Sequence, residues 1–462
     1  MMGQRARVIT FIGGGFSASA TVIHLLRATT TQPLHLVMVE PAPVIGPGRA
    51  YAARSHPYIL NVPAARMSLF EDEPGDFLAF ARQTLGRVDG QDFLPRSLYG
   101  EYVATRLREA IEQRRDPTQV DIRHDTAVDL SRHPAGHLTV RLQSGSTLDS
   151  DQVVLATGTP APQRLAVLAG LEGDPRCVMD PWGREPLRRL PSPVLVVGTG
   201  LTAADMVCAQ LALNPGAEFH LVSRRGRLPL PQADGRPGSA GWQPALLDRE
   251  LDRAQSARAV VRAVRAAAGA AADAGCDWRD VVTHVRHRLP RLWQHASVAE
   301  RRRFLRHVAP SWEIHRHRLP HAIHERLEAL SRTGQLTIHA GALDSVRPAG
   351  GALRVRFRPR FASVAEELVV GSVINCTSPD YRAAAANDPL CQSLMARGLV
   401  AVDPCGLGWR TSPDAELLDA AGLVVPGLHY VGPRLRAAHW EATAVMELRA
   451  HAARLAETLR RG

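Results

Sequence analysis

The sequence contains no lysine, so all 56 of its lysine and arginine positions are arginine. This absence excludes a lysine Schiff base, a lysine nucleophile and the lysine of a phosphate-binding P-loop. The six cysteines are scattered without a CxxC pair or a metal-like spacing. Such scattered cysteines are typical of reduced thiols in a cytosolic protein, and they disfavour chemistry that needs a close cysteine pair.

Long apolar runs are missing as well. No stretch approaches the ~18 uninterrupted apolar residues of a membrane span. The polar segment 1–7 precedes only a short apolar run at 8–12, unlike the long apolar region of a secretory signal. We therefore expect a cytoplasmic protein with no membrane partner. A length of 462 residues fits two or three domains of ~100–200 residues each.

The formal net charge of +11 raises the question of a nucleic-acid partner, because clustered basic residues bind phosphate. The arginines are spread along the chain, however, with only short clusters such as 301–303. We expect a solvated, arginine-rich surface and no nucleic-acid partner. The histidines at 315 and 317 alternate with arginines that would repel a cation, so we expect no metal site.

The first informative motif is a glycine turn between a strand at 8–12 and a helix at about 17–27, followed by a strand at 34–39. Gly13, Gly15 and Ala18 form GxGxxA in this strand-turn-helix context. Gly13 permits a tight turn, Gly15 allows the backbone to approach a pyrophosphate, and Ala18 allows close packing of helix on strand. Glu40 ends the second strand, where a carboxylate binds ribose hydroxyls. A glycine turn without a ligand is the alternative.

The same order recurs with a strand at 194–197, a turn at 198–200, a helix at 202–213 and a strand at 218–222. The second strand ends in Ser223, Arg224 and Arg225, where an NADH site would usually place an acidic residue. Cations at this position suit a 2′-phosphate and predict NADPH. The alternative is that these arginines only cap an exposed strand end. The residues predicted to bind NADPH are Gly198, Gly200, Leu201, Thr202, Ser223, Arg224 and Arg225.

These two repeats predict an α/β fold with two Rossmann-like dinucleotide-binding domains, of which the FAD domain is glutathione-reductase-like. Pro160 and Pro162 follow a buried-looking strand at 152–156 and indicate a domain crossing. We expect residues 1–165 to form the first part of the FAD domain and residues 371–462 its second part. Residues 166–370 then form the NADPH domain, with a helical insertion at 243–333. Strands are expected at 336–339, 353–357, 369–375 and 429–431, and a final amphipathic helix at about 441–459.

Two dinucleotide sites in one chain imply that hydride passes from NADPH to the flavin and from there to an acceptor. Because no close cysteine pair is present, oxygen or a small oxidant is the favoured acceptor. The residues predicted to bind FAD are Gly13, Gly15, Phe16, Ser17, Ala18, Glu40, Gly158 and Gly432.

Several segments resemble the FAD/NAD(P)-binding family of two-dinucleotide flavoproteins, and together they touch nearly the full length of the chain. They are GPGRAY at 46–51, LNVPAARMS at 60–68, PRSLYGEY at 95–102, ATG at 156–158, WEIHRHR at 312–318 and LRAAHWEATAVMELR at 435–449. That family includes flavin-dependent monooxygenases that oxidise L-aspartate stepwise to nitrosuccinate, and it is related to the wider N-hydroxylating flavoenzymes. The resemblance implies FAD, NADPH and O2. The FxGxxxHxxxW pattern of Baeyer-Villiger monooxygenases is absent.

The resemblance and the residue types together suggest residues of the reactive site, of which Asn61 is assigned by the resemblance. Asn61 is expected near the reactive edge of the flavin as the catalytic residue, where a carboxamide can both donate and accept hydrogen bonds. Arg316 and Arg436 are candidate ligands of a substrate carboxylate, since arginine binds carboxylates through two parallel hydrogen bonds. Trp440 is a candidate wall of the site. The alternatives are an ordinary turn residue for Asn61 and surface positions for the arginines.

The sequence thus predicts a monooxygenase that hydroxylates the amine nitrogen of a small amino acid through a flavin C4a-hydroperoxide. An acidic substrate is favoured, L-aspartate with possible oxidation on to nitrosuccinate. The main alternative is an NADPH-dependent flavin reductase or oxidase without oxygen insertion, and a nucleic-acid-binding flavoprotein is a further one. The oligomeric state stays open, with a homo-oligomer among the possibilities.

Overall fold

The computed structural model describes residues 5–28, 32–52, 56–114, 116–183, 187–233, 242–381 and 388–461. Its strands are β1 Arg7–Ile12, β2 Leu34–Val39, β3 Gln119–Arg123, β4 Ala127–Arg132, β5 Leu138–Leu142, β6 Thr147–Ser150, β7 Gln152–Leu155, β8 Cys177–Val178, β9 Val194–Val197, β10 Phe219–Ser223, β11 Leu336–Ala349, β12 Ala352–Pro359, β13 Glu366–Val370, β14 Ser372–Asn375, β15 Glu416–Leu418 and β16 Val424–Tyr430.

The helices of the described ranges alternate with these strands along the chain. They are α1 Phe16–Arg27, α2 Gly48–Tyr51, α3 Asp76–Leu85, α4 Arg96–Glu112, α5 Leu201–Leu213, α6 Ala245–Arg253, α7 Ala257–Asp273, α8 Trp278–His295, α9 Val298–Arg303, α10 Ala309–Arg316, α11 His321–Arg332, α12 Pro389–Ala396, α13 Arg436–His439 and α14 Val445–Arg461. Shorter 3-10 turns lie at Ala64–Arg66, Ala166–Leu168 and Pro433–Leu435, and a π-helical turn lies at Phe304–Val308.

The chain forms two compact units. The first contains residues 1–53, 62–160 and 381–462, and the second contains residues 54–61 and 161–380. Each unit is built from separate stretches of chain, so neither could be completed by a single continuous segment.

The first unit is organised around a sheet with the strand order β15-β16-β7-β1-β2-β3. Strand β1 lies at its centre, parallel to both β2 and β7. A central strand is covered on both faces, which explains why the β1 sequence RVITFI is a nearly continuous apolar run with little alternation. Strands β4, β5 and β6 form a separate antiparallel sheet.

The second unit has a sheet with the order β13-β12-β11-β10-β9-β14-β8. Strands β9, β10, β11, β14 and β8 pair in parallel, and β12 and β13 extend the sheet in antiparallel fashion. Strand β9, VLVV, is buried along its whole length. Strand β12 instead alternates between buried and exposed residues, as expected where only one face of a sheet is covered.

Helices α6 to α11 occupy residues 245–332 of the second unit. A small apolar cluster that includes Leu247, Leu251, Ala271, Val281 and Val285 holds α6, α7 and α8 together. The hydroxyl of Ser256 and the carboxylate of Asp277 cap the first turns of α7 and α8, which satisfies backbone donors that a helix start leaves unpaired. In the part of the chain that the structure describes, no helix is long and apolar enough to cross a membrane.

Several sequence expectations differ from the structure. The strand expected at 336–339 continues to Ala349 as β11, and the strand expected at 429–431 is β16, Val424–Tyr430. The apolar run 369–375 forms two strands, β13 and β14, because the chain bends at Gly371, where an added Cβ would lie 2.6 Å from the carbonyl oxygen of Pro191. The last long helix begins at Val445, and the short helix α13 precedes it. Trp440 ends α13 with a positive φ of 42°, a conformation that stops a right-handed helix.

We expect the unfolding free energy to fall in mildly acidic solution because of His429. This side chain lies on β16, is 2% exposed, and burial lowers its pKa to about 4. Between its ordinary pKa near 6.5 and pH 4 the unfolded chain binds a proton that the folded chain does not. The unfolding free energy is therefore unaffected by His429 protonation above pH ~6.5. As the pH falls below this value, His429 lowers the unfolding free energy, by about 2 kcal/mol at pH 5.

Urea unfolding at pH 7 and pH 5 tests this expectation. His429→Leu should lose about that much less stability between the two pH values than the unsubstituted protein. The exposed His295 provides the matched control, since His295→Leu should leave the pH dependence as it is. Equal pH dependence in His429→Leu and the parent would contradict the assignment.

Candidate dinucleotide-binding sites

The first glycine turn is held by backbone contacts on two sides. The N–H of Gly13 donates to the carbonyl of Val39, N to O 2.8 Å, and a Cβ on Gly13 would lie 2.4 Å from the carbonyl oxygen of Ala156. Gly13 also has a φ of +107°, which side-chain-bearing residues rarely adopt. Only glycine therefore allows β1 to turn into α1 beside the ends of β2 and β7.

The start of α1 is suited to an anion. Its first turn contains no acidic residue, and no side chain caps it. The unpaired N–H groups and the positive end of the helix dipole are the features that bind a pyrophosphate. Ala18 is fully buried, as close packing of α1 on the sheet requires.

The GPGRAY segment packs directly on this turn. The N–H of Gly46 donates to the carbonyl of Gly14, N to O 2.7 Å, and a Cβ on Gly15 would lie 3.2 Å from the Cα of Gly48. The sequence alone predicts no position for GPGRAY in the site, although the segment resembles the family. The only feature of its sequence that indicated a close backbone contact was the pair of glycines, Gly46 and Gly48.

Glu40 stands at the end of β2, as predicted. Its carboxylate accepts from the N–H of Gly14, Oε2 to N 2.8 Å, and from the N–H of Ala42, Oε1 to N 3.0 Å. The side chain thus stabilises the glycine turn itself. Each carboxylate oxygen can accept a second hydrogen bond, so these contacts leave capacity for ribose hydroxyls. Ribose binding by Glu40 stays a prediction.

The late turn at Gly432 lies beside the same helix start. A Cβ on Gly432 would be 3.7 Å from Oγ of Ser17. The ring of Phe16 contacts those of Tyr51 and Tyr99, with centroids 6.3 and 6.0 Å apart. The structure thus brings Gly13, Ser17 and Gly432 together in the first unit, and Gly158 follows the Ala156 carbonyl that Gly13 faces.

The two arginines after Gly432 have different surroundings. Arg434 is 3% exposed, and its Cζ lies 4.9 Å from the ring centroid of Trp409. Arg436 lies over Trp440, with its Cζ 3.8 Å from the ring centroid. Trp440 is itself 3% exposed. The structure therefore places two of the predicted substrate residues, Arg436 and Trp440, in direct contact.

The second glycine turn repeats the first. The N–H of Gly198 donates to the carbonyl of Val222, N to O 2.8 Å. Gly198 has a φ of +118°, and a Cβ there would lie 2.5 Å from the carbonyl oxygen of Cys376.

Helix α5 also starts without an acidic residue or a side-chain cap, and the space around Gly200 is open. Leu201 and Thr202 form the first turn of α5, and Thr202 accepts a hydrogen bond from the Trp182 indole, Nε1 to Oγ1 3.3 Å.

Strand β10 ends at the predicted 2′-phosphate position. The Oγ of Ser223 accepts from the N–H of Gly226, 3.0 Å. Arg224 is exposed and Arg225 is half-buried. The guanidinium of Arg225 donates to the carbonyls of Arg306 and His307 at 3.4 and 3.3 Å, which links this strand end to the helical segment.

The remaining predicted residues also have defined positions. Asn61 groups with the second unit, where its carbonyl accepts from Nε2 of Gln232 at 2.9 Å. Arg316 is the last residue of α10. Its assignment as a carboxylate ligand and that of Asn61 as the catalytic residue stay predictions. Within the described ranges no group of three or more His, Cys, Asp or Glu residues could hold a metal ion.

Comparison with known proteins gives a family match for part of the chain. Residues 10–160 match the model of a family described as FAD-NAD(P)-binding. This segment contains the first glycine turn, GPGRAY and Glu40. No curated protein sequence matches the chain.

Solved structures match over the whole chain. Ornithine N-hydroxylase KtzI from Kutzneria sp. 744 is 14% identical with a TM-score of 0.62, covering 99% of both chains. L-lysine 6-monooxygenase from Pseudomonas syringae is 17% identical with a TM-score of 0.62 and the same coverage. Lactococcus lactis thioredoxin reductase is 10% identical with a TM-score of 0.54, covering 99% of this chain and 98% of its own. The prediction of an α/β fold with two dinucleotide-binding units is confirmed, and the chain has the fold of the flavin-dependent N-hydroxylating monooxygenases, which thioredoxin reductase shares.

Proposed function

We propose that the protein is an FAD- and NADPH-dependent N-monooxygenase that hydroxylates the amine nitrogen of a small amino acid. The observation that carries this proposal is the pair of glycine turns, one in each unit, in a fold that matches N-hydroxylating monooxygenases over 99% of the chain. The KtzI structure is described with reduced FAD, NADP+ and L-ornithine, that is, with a flavin, an NADP cofactor and an amino acid, the three classes of molecule that the proposed reaction also needs besides O2.

The first unit fits FAD. Its turn at Gly13 has no room for a side chain, the α1 start carries no acid, and Glu40 lies at the strand end where ribose would bind. The second unit fits NADPH. Its turn at Gly198 is equally restricted, and Arg224 and Arg225 replace the acid that would repel a 2′-phosphate.

The overall reaction takes an amine, O2, NADPH and a proton to a hydroxylamine, NADP+ and water. FAD, when bound, accepts hydride from NADPH and activates O2. The protein then has to bind and orient the amino acid and to keep water away from the reacting atoms. The contact of Arg436 with Trp440 serves both needs, because the ring fixes the guanidinium and excludes water beside it.

The positive charge of Arg436 favours a substrate that carries a carboxylate. A guanidinium binds a carboxylate through two parallel hydrogen bonds, and the first unit presents Arg436 from the segment that follows Gly432. Every amino acid has an α-carboxylate, so a contact with Arg436 does not by itself select the side chain of the substrate. We propose an acidic amino acid, with L-aspartate as the first candidate.

Oxygen consumption and hydroxylamine formation by the FAD-loaded enzyme test the proposal. L-aspartate, L-glutamate, L-ornithine and L-lysine should be compared with NADPH as the reductant. Formation of a hydroxylamine or nitroso product from one of them supports N-oxygenation, and a preference for L-aspartate supports the acidic substrate. NADPH oxidation that yields only hydrogen peroxide with every amino acid would instead favour a reductase or oxidase, for which the fold shared with thioredoxin reductase leaves room.

Gly13→Ala should abolish FAD binding. The new methyl group would meet the Ala156 carbonyl, and the positive φ disfavours alanine, so the turn and the α1 start must shift. The ratio of flavin to protein absorbance after purification measures the loss. Gly75→Ala is the matched control in the same unit, since nothing lies within 4 Å of its Cβ position and its φ is −88°. A full flavin complement in Gly13→Ala would contradict the assignment.

Arg436→Gln should raise the KM for the amino acid by about tenfold or more, because it removes a charge-assisted hydrogen bond worth ~1.5–3 kcal/mol. FAD content and the rate of NADPH oxidation without substrate should be unchanged. Arg460→Gln, an exposed change in α14 of the same unit, is the control. An unaltered KM in Arg436→Gln would remove this residue from the substrate site.

A further inference from the structure

The turn between β12 and β13 is separated from the end of β10 by β11 alone. The N–H of Arg360 donates to the carbonyl of Ala340, N to O 2.7 Å. Ala340 on β11 is in turn the parallel partner of Ser223 on β10. Arg360 therefore stands one strand away from Ser223, at the edge where a Rossmann unit distinguishes the two nicotinamide dinucleotides.

Arg224, Arg225 and Arg227 follow the end of β10, and the hydrogen bond of Arg360 to Ala340 places it at the same edge of the sheet. Burial lowers the pKa of Arg225, and the positive charges of Arg360, Arg227 and Arg224 lower it further. None of these four arginines forms an ion pair with a carboxylate of the described residues. On β12, by contrast, Arg354 and Arg358 pair with acids, Glu367 at 4.0 Å and Asp344 at 3.2 Å.

An exposed aromatic ring accompanies the charges. Phe361 is 92% exposed and has a φ of 71°, which is unfavourable for a bulky residue. The Cζ of Arg360 lies 4.5 Å from the centroid of its ring. Folding alone does not account for a ring that contacts solvent on nearly all sides from a strained backbone. A flat ring next to a guanidinium is, however, a good surface for stacking a nucleobase.

We propose that Arg360 and Phe361 form a subsite for the 2′-phosphoadenosine end of NADPH. Arg360 joins Arg224 and Arg225 in binding the 2′-phosphate, and the Phe361 ring stacks on the adenine. A dianionic phosphate would replace the mutual repulsion of the guanidiniums by charge-assisted hydrogen bonds. This inference rests on the proposed function, specifically on NADPH binding by the second unit.

Binding of two probes to the FAD-loaded protein, measured by calorimetry, tests the phosphate contact. Adenosine 2′,5′-bisphosphate carries the 2′-phosphate and 5′-AMP lacks it. Arg360→Ala should bind the bisphosphate about tenfold more weakly, as expected for a lost charge-assisted hydrogen bond, and 5′-AMP within about twofold of the parent. Arg224→Ala should behave in the same way.

Arg356→Ala is the matched control. Arg356 is exposed on β12, the strand that leads into the turn of Arg360. Four residues of extended chain place it about 13 Å from Arg360, beyond the screening length of about 8 Å at physiological salt. Its removal should leave both affinities unchanged. Loss of the bisphosphate preference in Arg356→Ala as well would show a diffuse charge effect and overturn the role of Arg360.

The stacking contact needs a different pair of variants. Phe361→Asn keeps a residue that tolerates positive φ and should weaken both probes by a similar factor, about fivefold or more. Phe361→Tyr keeps the ring and should bind both probes as the parent does. Unchanged binding in Phe361→Asn would overturn the stacking assignment.

The outcomes separate the two proposals. A parent protein without preference for the bisphosphate overturns NADPH binding by the second unit and this inference with it. A parent that prefers the bisphosphate, with the preference intact in Arg360→Ala, overturns the inference alone. Selective loss of the preference in Arg360→Ala supports both.

Discussion

The close approach of a glycine to a neighbouring strand's carbonyl is the constraint on which both dinucleotide units depend. A Cβ on Gly13 would lie 2.4 Å from the Ala156 oxygen, and one on Gly198 would lie 2.5 Å from the Cys376 oxygen. Because no side chain intervenes, each turn can bring its helix start to the carboxyl edge of the parallel strands. The unpaired N–H groups of that helix start then lie where a pyrophosphate can be bound. The same device occurs twice in one chain, and this repetition is the basis of the functional proposal.

Positive charge in this protein is carried only by arginine, and the structure distributes it according to the surroundings. Arg434 is buried against Trp409, whereas Arg436 lies over Trp440. Guanidinium groups tolerate such positions because they stack on rings and are more weakly hydrated than an ammonium group. At the end of β10 the arginines lie close enough to repel one another. A cluster of this kind suits a phosphate, and it connects the composition of the chain with its proposed preference for NADPH.

Sequence reasoning predicted the parts of the fold that depend on short segments. The order of strand, glycine turn and helix depends on neighbouring residues. The bounds expected for both turns and for the strands next to them therefore agree with the structure to within one or two positions. The predictions were weaker where a distant carbonyl decides the path of the chain. The run 369–375 is interrupted at Gly371, which lies close to the Pro191 carbonyl, and the short helix α13 ends at the positive φ of Trp440 before the last long helix begins. Gly371 is the only local mark of the first break, and the residues around Trp440 carry no such mark.

The sequence by itself determined the two glycine turns, the acid at the end of β2 and the arginines at the end of β10, because each depends on residues within about thirty positions of one another. Only the tertiary structure decided which distant residues join them. Gly432 comes to Ser17 because β7 pairs with both β16 and β1. Arg360 comes near Ser223 because β11 pairs with both β10 and β12. Backbone hydrogen bonds between strands specify such neighbours, and the residues that they bring together carry no shared pattern along the chain.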